Sequence, residues 1–239
     1  MNKVIHYFWF GKKEKPQIFK TCLKSWKKYL PEWEIKEWNE TNVDIYINDF
    51  TKKAYENDKW AFVSDYFRCY ILEKYGGLYL DVDCEIIKSP EVLFRLDEPV
   101  LGFEFSNYVA AGLIMYFPKP HHPLLLEMIK SMEEYGLINE DITSVTVVTR
   151  FTDILKDKGL VMNGYEQFVG DVHIYPSEYF CPINPTWHRQ TFTKNTFIIH
   201  HYLGSWYFGK ELTIIKFKRL FFRLLHPLNC FKLLKARYF

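Results

Sequence analysis

An α/β fold is predicted by three features of the sequence. The run Val4-Ile5-His6-Tyr7-Phe8-Trp9-Phe10 is apolar, strand-like and stopped by Gly11. Helical spacing over Lys59 to Tyr75 is closed by Gly76-Gly77 and followed at once by a second apolar run, Leu78 to Asp83. Segments of the two kinds alternate along the chain, which is the order of α/β domains.

Taken in order, Pro16 opens a helix that carries Ile18, Cys22, Leu23 and Trp26 on one face, and Trp33 to Trp38 alternates as a second strand. The helix from Lys59 and the strand Leu78-Tyr79-Leu80-Asp81-Val82-Asp83 come next. Further strands are predicted over Val100–Phe105, Tyr108–Phe117, Val172–Tyr175 and Thr196–His201, with helices over His122–Tyr135 and Thr143–Lys156. No repeat, low-complexity tract or linker divides residues 1–209, which read as one domain whose first ~110 residues form a nucleotide-binding half. Open α/β sheets bind ligands beyond the carboxyl ends of their strands, and Asp81 and Asp83 lie where such a site is expected.

Composition narrows the class. With 21 Phe, 17 Tyr and 7 Trp among 239 residues, the chain has ample apolar surface to bury, which excludes disordered and collagenous proteins. The net charge of +2 is unevenly spread: residues 210–239 carry eight basic residues and one acidic residue, a net +7, and the remainder is mildly acidic at −5. Nucleic acid is therefore not an expected partner of the body. The tail, with Phe217, Phe221, Phe222 and Leu225 among its bases, is read as an amphipathic helical segment. It suits an anionic membrane surface or, alternatively, packs on the core with its Lys and Arg stems along apolar surface.

The five scattered cysteines lack a CxxC pair and read as reduced thiols. No signal-peptide apolar core follows Met1, and no uncharged apolar stretch approaches the ~20 residues that span a bilayer, so a cytoplasmic protein lying on the inner face of the membrane is expected.

The chemistry concentrates at Asp81-Val82-Asp83. On a strand, alternation turns both carboxylates to one face and Val82 into the protein, a pair able to hold Mn²⁺ or Mg²⁺ and, through it, a diphosphate. The same triplet alone also describes an ordinary solvated strand exit. Asp65 and Arg68, at i and i+3 on an otherwise apolar helix, share one face; such charges are costly unless satisfied. Taken alone they also fit a purely structural ion pair. The Gly76-Gly77 turn folds this helix back against the Asp81 strand, so the four charges can converge.

These residues carry a resemblance. Val63-Ser64-Asp65-Tyr66-x-Arg68 followed by Tyr75-Gly76-Gly77-Leu78-Tyr79-Leu80-Asp81-Val82-Asp83 resembles the signature of glycosyltransferases with the DXD sugar-binding motif. This is the family 32-like group of capsular-polysaccharide sugar transferases and initiating α-mannosyltransferases. Ile5 to Gly11, Ser25-Trp26, Pro31 to Ile35, Trp38-Asn39-Glu40 and Ile199-His200-His201-Tyr202-Leu203-Gly204-Ser205-Trp206 match flanking blocks in the same order.

The resemblance implies a GT-A-type, Rossmann-like nucleotide-diphosphosugar transferase fold, a divalent cation (Mn²⁺ or Mg²⁺) and transfer with retention. Carried onto this sequence, it implies that Phe8 and Trp9 contact the nucleotide base. Asp65 and Arg68 bond the donor sugar, and Gly76, Gly77, Tyr79 and Val82 frame the donor site. Asp81 meets the ribose and the metal shell, Asp83 binds metal, and Ser205 with Trp206 reaches the diphosphate. Asp65, Arg68 and Asp83 are the expected catalytic residues. His200 or His201 completes the metal shell; the two alternate along a strand, and the spacing to Gly204 and Trp206 favours His201.

The implied partners are a nucleotide-sugar, with UDP-hexose favoured over GDP-mannose, and a glycan or lipid-linked saccharide acceptor. On the acceptor side, Val109 to Leu113 and Val145 to Arg150 depart from the family pattern, so acceptor identity does not carry over. A metal-dependent phosphoesterase would gather more His and carboxylate ligands than this. A non-catalytic sugar-nucleotide or glycan-binding module predicts a broken metal motif, and the motif is intact.

Overall fold

The computed structural model describes residues 2–202 apart from 95–96, 106, 140, 142–143 and 185–190. Strand β1 (Val4–Phe8) alternates as its sequence demands. Ile5 and Tyr7 pack on one side of the sheet and Phe8 on the other. It pairs in parallel with β2 (Glu34–Trp38) on one flank and β3 (Gly77–Tyr79) on the other. Beyond β3 come β6 (Met115–Phe117), β5 (Val100–Gly102), β8 (Val172–Tyr175) and β7 (Gln167–Val169), giving a seven-stranded sheet in the order β2-β1-β3-β6-β5-β8-β7. Parallel and antiparallel pairs are mixed: β6 runs against both β3 and β5, while β5 and β8 are parallel.

A separate two-stranded ribbon, β4 (Cys84–Ile86) with β9 (Ile198–His200), lies on the face shared with α1 (Gln17–Tyr29). On α1 the buried side chains are Phe19, Cys22, Ser25 and Trp26, so the stripe is centred one position away from the expected Ile18 and Leu23, which are partly buried. The opposite face is covered by α2 (Asp49–Glu56), α3 (Trp60–Tyr75), α4 (Pro123–Ile138) and α5 (Val147–Asp157). A short α6 (Ser177–Phe180) follows β8.

Helix α3 positions the site. Val63, Tyr66, Phe67, Cys69, Ile71 and Leu72 are buried around most of its circumference, as befits a helix sandwiched between the sheet and α4. Full burial of a side chain such as Phe67 contributes about 1.5–3 kcal/mol relative to exposure. The helix ends where Gly76 adopts φ 64° and Gly77 follows at φ 103°, in left-handed backbone that other residues rarely adopt. A β-carbon at Gly77 would lie 2.8 Å from the Val4 carbonyl oxygen, so only glycine lets β3 start flush against β1.

His6 locks this corner: its Nε2 lies 2.9 Å from the Gly76 carbonyl oxygen and its Nδ1 accepts from the Trp38 indole N–H at 3.1 Å. Those partners require the neutral ring. Burial lowers its pKa to about 4, the Gly76 carbonyl opposes the shift, and Lys36 adds to it. The folded pKa lies below the ordinary value of 6.5, so the stabilisation is complete above pH 6.5 and is lost as pH falls toward 4. The loss amounts to about 3 kcal/mol at most. Denaturant titrations between pH 4 and 7 should show this slope, and His6→Gln should flatten it; an unchanged slope in the variant would rule the assignment out.

Several expectations are corrected. The strand predicted over Leu78–Asp83 ends at Tyr79; the Leu80 N–H still donates to the His6 carbonyl of β1 at 3.2 Å, and Asp81 to Asp83 then leave the sheet in a turn closed by the Cys84 N–H donating to the Asp81 carbonyl at 3.0 Å. The long strand predicted over Tyr108–Phe117 is only Met115–Phe117, preceded by a buried irregular segment, and Val100–Phe105 is regular only to Gly102. The helices α2 and α6 and the edge strand β7 were not anticipated.

Candidate functional site

Two chain segments converge where β3 leaves the sheet. Asp65 and Arg68 project from α3 and form an ion pair of 2.8 Å with both side chains nearly inaccessible. Arg68 also lies 3.6 Å from Asp81, and its guanidinium stacks over the Tyr79 ring at 4.6 Å from the centroid. The Tyr79 hydroxyl donates to the Asp81 carboxylate. Arg68 is therefore held from three sides.

The second half of the cluster is built by the ribbon. Antiparallel pairing sets Cys84 opposite His200, which brings the His200 Nε2 to 3.1 Å from Asp83 and 3.6 Å from Asp81. The ribbon is fastened to α1 by two bonds from the matched Ser25-Trp26 pair. The Trp26 indole N–H donates to the Cys84 carbonyl at 2.7 Å, and the Ser25 hydroxyl accepts from the Ile86 N–H at 2.9 Å. That sequence block thus serves the site from behind.

The electrostatics follow from crowding of charge with little water. Burial pushes the Asp65 carboxyl up to about 6, although Arg68 pulls it down. Burial also raises Asp81; Arg68 and His200 oppose this, and the neighbouring Asp83 carboxylate reinforces it. Burial works against the Arg68 charge, yet Tyr79, Asp65 and Asp81 outweigh it and hold the guanidinium above its usual range. For His200, burial lowers the pKa, but Asp83 and Asp81 prevail and the net shift is upward.

The predicted site residues separate as follows. Asp65, Arg68, Tyr79, Asp81 and Asp83 converge as expected, although the aspartates meet through a turn and not through strand alternation. Val82 is partly buried against the apolar core. Of the two histidines it is His200 that faces the aspartates, while His201 Nε2 lies 2.9 Å from Glu85, so the preference for His201 is corrected by the ribbon register. The Phe8 ring is buried among Phe10, Phe67 and Tyr79. Trp9 is partly exposed, with its indole N–H donating to the Lys13 carbonyl at 2.6 Å. Gly76 and Gly77 shape the corner. Ser205, Trp206 and the basic tail lie outside the described residues.

Two residues at the cluster were missed. A β-carbon on Gly112 would lie 2.5 Å from an Asp81 carboxylate oxygen, so its lack of a side chain admits that carboxylate. Cys84 sits against Asp83 and His200, and the sequence offered only its position next to the DXD triplet as a signal.

A metal ion fits this donor set. Ligand atoms of Asp83, Cys84 and His200 lie within 4.8 Å of one another, and Asp81 stands 3.6 Å from the same His200 Nε2 and is repelled by the Asp83 carboxylate, a repulsion that a cation would relieve.

A sheet of this order with an acidic turn at the exit of a central parallel strand is a GT-A-type glycosyltransferase fold. The PaToxG glycosyltransferase shares it with a TM-score of 0.53 at 14% identity, over 66% of this chain and 70% of that one. Residues 1–159 match the family described as capsular polysaccharide synthesis protein, and the chain belongs to that family. It is also 27% identical over 138 residues to inositol phosphoceramide mannosyltransferase 3 of Schizosaccharomyces pombe, covering 56% of this chain and 38% of the relative. The aligned region thus spans well under half of that relative's length. The galactosyltransferase LgtC, solved in complex with donor and acceptor sugar analogs, aligns over 83% of this chain and 87% of its own at 15% identity and a TM-score of 0.48.

Proposed function

We propose that this chain is a retaining, metal-dependent hexosyltransferase that moves a sugar from a nucleotide-diphosphosugar to a glycan or lipid-linked saccharide in surface polysaccharide synthesis. The observation that carries the reading is the convergence of the buried Asp65–Arg68 pair with Asp81, Asp83 and His200 in one cluster. Asp81, Asp83 and His200 would hold Mn²⁺ or Mg²⁺, which when bound supplies charge stabilisation for the departing diphosphate.

The chain's own residues do the rest. Asp65 accepts hydrogen bonds from donor-sugar hydroxyls and is kept in place by Arg68 at 2.8 Å. Arg68, braced by Tyr79 and Asp81, presents a fixed positive charge that needs no reorganisation as the leaving group becomes negative. Transfer breaks the bond from the anomeric carbon to the diphosphate oxygen, whose electron pair leaves with the phosphate. The acceptor hydroxyl oxygen forms the new bond, and its proton passes to the leaving phosphate. Retention is proposed on the family resemblance, and Ser205 and Trp206 are proposed as further donors to the diphosphate.

UDP-hexose is the favoured donor and GDP-mannose the alternative. A thermal-shift panel of nucleotide-sugars with Mn²⁺ tests this. A cognate donor at about 100 times its Kd should stabilise by about 2.7 kcal/mol, raising Tm by roughly 5–10 °C. A panel in which every nucleotide-sugar leaves Tm unmoved would sink the reading.

We further propose that the protein lies on the inner face of the membrane through residues 210–239. No helix among the described residues is long and apolar enough to cross a bilayer. Sedimentation with anionic liposomes should fall at least about tenfold on truncation after Gly209, and rise as salt is lowered. Unchanged sedimentation by the truncated chain would refute the membrane role.

A further inference from the structure

The cluster contains a sulfur for which the proposed reaction has no use. Cys84 follows Asp83, opens β4 and faces His200 across the ribbon. A carboxylate oxygen of Asp83, the Cys84 Sγ and an imidazole nitrogen of His200 all lie within 4.8 Å of one another. The thiol is wholly buried and donates weakly toward the carbonyl oxygens of Gly112 and Leu113, each at 3.5 Å. One oxygen, one nitrogen and one sulfur form a borderline-soft set with a fourth position left open, and such sets suit tetrahedral zinc. Magnesium and manganese prefer oxygen and gain little from a thiolate.

We propose that Asp83, Cys84 and His200 form a site for a thiophilic divalent cation, zinc or its spectroscopic surrogate cobalt, which competes with Mn²⁺ or Mg²⁺ because both use Asp83. The inference rests on the metal-binding reading above. Tetrahedral zinc has ligand bonds of about 2.0–2.3 Å, and the spacing of these donors, bounded by 4.8 Å and only 3.1 Å between Asp83 and His200, is of the scale such a site needs. The carriers are firmly seated: Trp26 holds the Cys84 carbonyl and the ribbon holds His200.

On binding, the thiol releases its proton to solvent and a sulfur lone pair forms the bond to the metal; no electron is transferred. Burial, together with Asp81 and Asp83, holds the metal-free thiol well above its ordinary pKa. The cation reverses that balance locally. Since one carboxylate serves both ions, zinc and manganese exclude each other, and zinc is an inhibitor of the manganese-loaded protein.

The test uses the full, reduced chain. Titration with Co²⁺ should produce a sulfur-to-cobalt charge-transfer band in the near ultraviolet, saturating at one equivalent. Mn²⁺ followed by electron paramagnetic resonance should be released as Zn²⁺ is added. Cys84→Ser should abolish the band and weaken zinc at least about tenfold. His200→Gln keeps the thiol and should also weaken cobalt at least about tenfold, which covers the case in which Cys84→Ser does not fold. If Mn²⁺ and Co²⁺ both bind but no sulfur band appears, or the band persists in Cys84→Ser, the proposal is overturned while the metal reading stands. If neither ion binds, both fail together.

Discussion

Asp83→Ala is expected to lower kcat/KM for sugar transfer, and for metal-supported hydrolysis of the nucleotide-sugar, by about 10³-fold or more. That corresponds to roughly 4 kcal/mol of transition-state stabilisation. Asp83 is 6% exposed, lies 3.1 Å from His200 and repels the neighbouring Asp81 carboxylate. Its removal takes away one donor of the proposed shell and leaves a histidine whose raised pKa depended on it. Calorimetry should show Mn²⁺ binding lost. The folded state should lose the Asp83–His200 pair but gain relief from the repulsion between two carboxylates, so Tm is expected to fall less than for loss of Arg68. Full activity with unchanged metal dependence would remove Asp83 from the site.

Arg68→Met should act on both stability and function. It keeps most of the stem's volume and deletes the charge that stands between Asp65 and Asp81. Breaking a buried pair on one side typically costs about 3–5 kcal/mol, a fall in Tm of roughly 6–20 °C for a chain of this size. Asp65, already pushed up to about 6 by burial, loses the guanidinium that held it down and should take up a proton near neutral pH. The double variant Asp65→Asn/Arg68→Met should recover part of the stability, because the buried Asp65 carboxylate is no longer left without its guanidinium, yet stay at or below about 1% of wild-type turnover. Recovery of turnover along with stability would reduce the pair to a structural brace.

The sequence reading succeeded where local pattern and chemistry coincide. Asp65 and Arg68 stand three apart on an apolar helix, and only mutual pairing makes two buried charges tolerable there. Gly76-Gly77 announced the corner because no other residue takes those dihedral angles cheaply. Asp81 and Asp83 were found by type, but the reason was wrong: a turn, fixed by the Asp81 carbonyl and the Cys84 N–H, brings them together.

Other errors share a physical origin in non-local contacts. Alternation says that one of His200 and His201 faces the cluster, and only the pairing of β9 with β4 decides which. The Phe8 ring packs against Phe10, Phe67 and Tyr79, a placement that only the pairing of β1 with β3 and the docking of α3 decide. The apolar run at 109–117 reads as a strand because burial alone looks the same whether backbone bonds run in a ladder or a loop. Helix α2 was missed because its propensity is modest; its start is fixed by the Asn48 side chain accepting from the Thr51 N–H.

The two-stranded ribbon also sets a schedule for the chain as it is made. Its contacts join residues 116 positions apart, as in the His201–Glu85 pair, so the acidic turn is synthesised long before the histidine strand that completes it. During that interval β1, β2, α3 and β3 can already pair through the shorter-range contacts that close most readily. A nascent chain halted before residue 198 would therefore own a folded frame and a charged cluster that still lacks His200. The charged cluster is thus completed only after every strand of the sheet that carries it has been made.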